Sequence, residues 1–184
     1  MKKLLLFVSA IILVSAQLLA QEPTFKAGDK VVNIGIGLGS SWYSGTYYSM
    51  TFPPINASLE VGVKDGVLEK GSIGVGGLIG YSGYKYEYSS YKWTYSNFVL
   101  AGRGYFHYPL VNKLDTYTGL GLGYNIASEK WSGTGTDPGS TDSWGGFVWS
   151  WFIGGRYYVK ENFALMAELG YGSYYLNLGV AFKL

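Results

Sequence analysis

From residue 30 onward the chain alternates between apolar and small or polar side chains, and it does so in eight separate stretches. In the first, 31–39, Val32, Ile34, Ile36 and Leu38 oppose Asn33, Gly35, Gly37 and Gly39. The second, 55–64, sets Ile55, Ala57, Leu59, Val61 and Val63 against Asn56, Ser58, Glu60, Gly62 and Lys64. Ile73, Val75, Ile79 and Tyr81 oppose Gly74, Gly76, Gly80 and Ser82 in the third, 72–86. The fourth, 92–108, has Phe98, Leu100, Phe106 and Tyr108 opposite Asn97, Arg103, Tyr105 and His107. In the fifth, 114–128, Leu120, Leu122, Tyr124 and Ile126 face away from Asp115, Tyr117, Gly119, Gly121 and Asn125. The sixth, 143–159, turns Phe147, Trp149, Trp151, Ile153, Tyr157 and Val159 away from Ser150, Gly154 and Arg156. Leu165, Ala167, Leu169 and Tyr171 oppose Met166, Glu168 and Gly170 in the seventh. The eighth opposes Tyr174, Leu176, Leu178, Val180 and Phe182 to Asn177, Gly179, Ala181 and Lys183. A period of two predicts strands and no helix.

The connections fall into two sets. Residues 40–54 and 129–142 are long, and 89–90 is a tip between two Tyr-rich runs, whereas 65–71, 109–113 and 160–162 are short. The last hairpin turns near Gly172 and Ser173. Long connections alternate with short ones, so an up-and-down sheet acquires a loop end and a turn end.

A soluble sandwich would turn the polar face to water. Here that face is mostly Gly, Ser, Asn, Ala and Tyr with a few single charges, while the apolar face is continuous. With lipid as the solvent of the apolar face, all backbone groups must pair within the wall. The expectation is therefore an all-β, closed eight-stranded antiparallel up-and-down transmembrane β-barrel. Eight is a common minimum, and each strand needs only about 9–11 residues to cross. Small inward residues suit an interior just wide enough for side chains to fill. Tyr81, Tyr84, Tyr86, Tyr88, Tyr91, Trp93 and Tyr95 at the loop end, and Phe106, Tyr108, Tyr157 and Tyr158 at the turn end, read as two interfacial belts.

The N-terminus belongs to another pattern. Lys2 and Lys3 precede an apolar run from Leu4 to Val14, followed by the small residues Ser15, Ala16 and Ala20. Residues 1–20 read as a signal peptide, cleaved after Ala20 or after Ala16. Residues 21–29 then form a short polar segment leading into a barrel domain at 30–184. Losing Lys2 and Lys3 reduces the 14 Lys and Arg to 12, equal to the 12 Asp and Glu. The formal charge of +2 is thus a property of the leader. With no basic run elsewhere, nucleic acid is not an expected partner. Absence of Cys removes disulfides, thiolate metal sites and a cysteine nucleophile.

Several stretches also resemble a known group. Lys30-Val31-Val32-Asn33-Ile34-Gly35-Ile36-Gly37, Gly71-Ser72-Ile73-Gly74-Val75-Gly76-Gly77, Lys113-Leu114-Asp115-Thr116-Tyr117 and Ala167-Glu168-Leu169-Gly170-Tyr171-Gly172 carry the likeness. On them the chain resembles the small outer-membrane barrels of Gram-negative bacteria, of OmpA/OmpX type, and is particularly similar to outer-membrane β-barrel proteins of the Bacteroidetes. The resemblance covers nearly the whole chain after the leader. It implies the cell outer membrane, with outer-membrane lipid as solvent and insertion machinery as an assembly partner; an even strand count with short periplasmic turns puts both barrel termini in the periplasm. Such proteins often end in an aromatic residue; here the chain ends in Leu184, with Phe182 two positions earlier.

Candidate chemistry is sparse. Gly35, Gly37 and Gly39 are spaced by strand alternation, and Ser40 follows, so no phosphate-binding fingerprint exists. Glu129, Asp137 and Asp142 lack calcium-loop spacing, and neither metal nor cofactor is expected. His107 is the lone histidine and reads as a packed end-of-strand residue; Ser96 lies on the opposite face of its strand, and Ser72 and Ser150 could approach it only across strands. Glu60, Arg103, Arg156 and Glu168 lie on the polar phase and are expected to form an interior charge network plugging the lumen. Trp42, Tyr43, Tyr47, Tyr48 and Trp131 are candidate loop contacts for an extracellular ligand. The expected function is structural or surface-interacting and non-enzymatic. Its alternatives are a lipid-modifying outer-membrane enzyme, an acyl hydrolase or acyltransferase, and a soluble periplasmic β-barrel holding an apolar ligand.

Overall fold

A computed structural model describes residues 23–89, 91–132 and 143–184. The signal-peptide reading, 1–20, and residues 133–142 of the second long connection lie outside the described residues. Eight strands run in order: β1 Lys30–Leu38, β2 Tyr48–Val67, β3 Gly71–Tyr88, β4 Tyr91–Val111, β5 Leu114–Trp131, β6 Ser143–Lys160, β7 Phe163–Tyr171 and β8 Leu176–Lys183. Each pairs antiparallel with its neighbours, and β8 returns to β1, closing the barrel.

The register fixes the shape. Stepping across paired residues from Leu114 through Tyr157, Leu165, Val180, Ile34, Ala57, Ile79 and Leu100 lands on Tyr124, ten residues further along β5. A stagger of that size over eight strands corresponds to a tilt of about 40°. Every residue on that path belongs to the apolar phase. Leu100, Leu120, Leu122, Trp149 and Leu169 are all more than half exposed, and Asn33, Asn97, Asn125 and Asn177 are buried. The faces are therefore as the alternation predicts, apolar outside and polar inside. From Phe98 to Tyr108 along β4 the outward band is roughly 25 Å tall at about 3.3 Å per residue and this tilt.

Strand length is uneven. β2 to β6 have 18 to 21 residues, whereas β7, β8 and β1 have 8 or 9. The five long strands rise past the apolar band as a curved wall. Their outer face turns polar there, with Lys85, Glu87, Lys92, Thr94 and Ser96 above Tyr81 and Phe98. Residues 48–54, expected in a loop, are the upper part of β2. Pro53 and Pro54 sit where β2 has passed the last β1 pair, at Ile36 and Ile55, so their missing N–H groups take nothing from β1.

Three expectations need correction. Tyr84 and Tyr158 do not join the outward belts; they are 4% and 5% exposed and point inward. Register explains it: Tyr84 faces Tyr95, Tyr86 faces Trp93 and Tyr88 faces Tyr91, in unbroken alternation with the inward Ser82 and Asn97. These rings continue the lumen phase above the band. Tyr174, expected on the outward phase of the eighth strand, precedes that strand, which starts at Leu176, and is buried. Gly172, at φ 131°, breaks the alternation in the turn, a conformation that side-chain-bearing residues rarely adopt. Finally, residues 23–29 are more than a leader, because Phe25 is inserted into the turn end of the barrel.

Candidate functional site

The lumen holds two stacked polar layers. In the lower one, four strands each contribute one side chain to a closed ring. His107 Nε2 lies 2.5 Å from Glu60 Oε1, and His107 Nδ1 lies 2.7 Å from Asp115 Oδ1. Arg156 completes the circuit, donating from Nη1 to Asp115 Oδ2 at 3.0 Å and from Nη2 to Glu60 Oε2. All four are buried, and the Arg156 guanidinium stands 4.5 Å from the centre of the Tyr117 ring. Each carboxylate is thus held by both bases.

Glu168 organises the upper layer. It accepts from Arg103 Nη2 at 2.8 Å, Tyr117 Oη at 3.1 Å, Tyr174 Oη at 2.9 Å and Asn177 Nδ2 at 3.4 Å. Arg103 lies 3.5 Å from the Phe152 ring centre, using a guanidinium plane against an aromatic face. Asn177 pairs reciprocally with Asn56 over Gly35 of β1, the strand between theirs, where a Cβ would collide with Asn177 Oδ1. Space comes from glycine. Gly154 is directly opposite Glu168, and a Cβ there would come 2.8 Å from both Glu168 Cγ and Tyr117 Cζ.

The four charges singled out in the sequence therefore meet as two pairs, Glu60 with Arg156 and Arg103 with Glu168. Asp115 and His107 join the network beyond the four residues that the sequence predicts. Their polar phase was visible, but only the β4–β5 register, which sets them eight residues apart across a hairpin, brings them together. Both His107 nitrogens are engaged by carboxylates. Ser72 instead donates to the Phe25 carbonyl at 3.0 Å, and Ser96 accepts from Tyr81 at 3.3 Å. Ser150 lies beside Gly121, among the residues around Arg103. Arg156 occupies the position between Glu60 and Asp115, so these acids with His107 already have their partners, and no metal-type cluster is found among the described residues.

Phe25 closes the lower end. Its ring stacks on His107 at 4.1 Å and 21°, and it packs with Val31, Tyr158, Ala164 and Ala181. The segment is fastened on several sides. Lys183 Nζ reaches Asp29 at 2.6 Å and the Thr24 carbonyl at 3.0 Å. Ala27 N donates to Asp65 Oδ1 at 2.7 Å, and Gly28 N to the Gly62 carbonyl at 3.0 Å.

At the other end the β1–β2 loop folds inward. Tyr43 donates from Oη to Asn97 Oδ1 at 3.0 Å and stacks on Tyr84 at 4.5 Å and 17°. Burial pushes the Tyr43 pKa up, keeping the phenol a neutral donor. Of the other candidate contacts, Trp42 lines both the mouth and the small lumen cavity beside Arg103 and Phe152, while Tyr47 packs against Tyr86 and Tyr88. Tyr48 opens β2, and Trp131 ends β5 opposite Trp93. Trp42, Tyr43 and Tyr48 border one cleft of about 510 Å³; Tyr47 and Trp131 do not.

The chain is similar in fold to solved transmembrane barrels. A designed transmembrane β-barrel matches with a TM-score of 0.51 at 20% identity, over 87% of this chain and 98% of that one. Ail, the attachment invasion locus protein of Yersinia pestis, matches with a TM-score of 0.53 at 15% identity, over 86% of this chain and 99% of Ail. The fold is one that transmembrane barrels share. The sequence matches no protein-family model and no curated protein. At these identities the likeness concerns architecture alone.

Proposed function

We propose that the protein is an integral outer-membrane β-barrel, both termini periplasmic, whose lumen is plugged and whose extracellular mouth makes surface contacts. The observation that carries this reading is the outward apolar band around a closed wall with charges only on its inner side within that band. In hydrocarbon a closed sheet leaves no unpaired edge, and buried charges persist only when paired. The polar, filled lumen leaves no apolar interior for a soluble ligand carrier. Occupation of both His107 nitrogens speaks against activation of a hydroxyl there, so we read the protein as non-enzymatic. The four stretches quoted above support kinship with barrels of the Bacteroidetes. Ail, named for attachment and invasion, supports a surface-interaction role by analogy of fold alone. Partners under this reading are outer-membrane lipid, the insertion machinery during assembly, and an extracellular ligand at the loop end.

The test is membrane fractionation of cells making the whole chain, combined with gel migration before and after boiling. A heat-dependent mobility shift confined to the outer-membrane fraction is expected. Protein found in the periplasm, or lacking any shift, would remove the reading.

A further inference from the structure

The mouth cleft carries more than a general contact surface. It lies between the inward-folded β1–β2 loop and the upper half of β6, with Trp42, Tyr43, Tyr48, Tyr95, Asn125 and Trp144 among its lining residues. None of its described lining residues is charged. Asn125 is 5% exposed, gives its Nδ2 to Asn97 Oδ1 at 3.0 Å, and leaves its Oδ1 with no donor. Trp144 is 49% exposed on the inner phase of β6, which continues from Gly154 and Ser150. Next to Trp144, β6 lacks a strand on one side: β7 pairs only from Trp151 downward, so residues 143–150 form one wall of the cleft with a free edge.

From these features we propose that the cleft binds an uncharged saccharide, with sugar rings laid against its Trp and Tyr faces. A hexopyranose presents flat patches of C–H groups to aromatic rings and a rim of hydroxyls to polar edges, and this cleft offers both surfaces. Sugar hydroxyls would meet the phenols of Tyr48 and Tyr95 at the rim, whereas Asn125 Oδ1, like the neighbouring Asn97 Nδ2, has no partner and is sealed from solvent. Sulfated or phosphorylated glycans call for Arg or Lys, which the lining lacks. The volume falls within the usual range for small-molecule sites and accommodates more than one ring. This inference rests on the surface-contact reading above and names its ligand class. The sugar has two possible sources, a free oligosaccharide or the head of an outer-leaflet glycolipid, and both present the same chemistry.

The experiment uses the mature protein in an amine-oxide detergent, which has no sugar headgroup. Tryptophan fluorescence and calorimetry are followed on titration with maltotriose, cellotriose and chitotriose. Vesicles containing an uncharged diglycosyl diacylglycerol form a second arm. Saturable binding of at least one probe is expected, weakened about tenfold or more by Trp144→Ala and by Trp42→Ala. Binding in the first arm assigns a free saccharide, and binding in the second arm alone assigns a glycolipid head. Absence of binding in both arms overturns the proposal, as does binding that both variants leave unchanged. A response only to a sulfated glycan or to a peptide also overturns it. The heat-dependent mobility shift, measured on each variant, reports the barrel separately. A barrel that shifts normally but binds no sugar refutes the saccharide and leaves the membrane reading standing.

Discussion

Consider the upper ion pair as a measurable energy. Arg103 and Glu168 side chains are 4% and 2% exposed and meet at 2.8 Å, so neither is screened by bulk water. Removing one partner of such a pair costs about 3–5 kcal/mol, because the survivor remains charged and buried. Glu168 keeps Tyr117, Tyr174 and Asn177 as donors, which places Arg103→Met at about 3 kcal/mol, the low end of that range. Methionine also retains much of the bulk lying on Phe152, limiting the cavity contribution. Glu168→Gln leaves Arg103 over Phe152 and Tyr105 without a counter-charge, a loss of similar size. Together the two substitutions leave no unpaired charge. The double variant should therefore be more stable than the sum of the single losses implies, by about 2 kcal/mol. Reversible urea unfolding in lipid vesicles, followed by tryptophan fluorescence, gives the four free energies. Additivity within about 0.5 kcal/mol would show that the pair is not coupled and that the lumen is held by packing alone.

Other expectations follow from neighbouring features. Phe25→Ala empties the turn-end stack and should destabilise by about 3 kcal/mol, with earlier protease cleavage before residue 30 read by mass spectrometry. Gly154→Val drives a side chain into Glu168 and Tyr117 and should lower stability by about 1–3 kcal/mol, measured by the same unfolding assay. Lys113, at φ 64° in the β4–β5 turn, should gain up to about 1 kcal/mol on substitution by Gly. An epitope inserted at Gly135 should be reached by antibody on intact cells; detection only after permeabilisation would invert the proposed topology. In a planar bilayer the native protein should show no steady conductance, and a stable open channel would refute the plugged lumen.

The wall was legible because its information is local. Leu120 and Leu122, or Trp149 and Trp151, declare their face by their spacing from neighbours two residues away. The loop-end aromatics misled because abundance near a strand end resembles a lipid belt, while phase decides. Tyr84 and Tyr95 are in step with Ser82 and Asn97, and that step points inward. His107 and Asp115 carried a polar phase but no visible partner, since Glu60 lies 47 positions from His107 and meets it only through the closed register. Phe25 gave the weakest signal of all, one ring in a short polar run, where alternation has nothing to say. Tyr174 differs for another reason: β8 begins only at Leu176, and the phase of that strand does not reach back into the 172–175 turn.

The segment around Phe25 bears on the order in which the molecule assembles. Its fastenings reach Ser72 on β3, Gly62 and Asp65 on β2, and Lys183 near the far end of the chain, 159 positions from Thr24. None of the local hairpins requires a contact of that span, and loops closed over so many residues carry a large entropic burden until the wall is in place. The contacts of Lys183 with Thr24 and Asp29 can therefore form only once β8 stands beside β1. The segment thus acts as a latch that registers a completed ring, fastened at both ends of the chain only when the wall has closed.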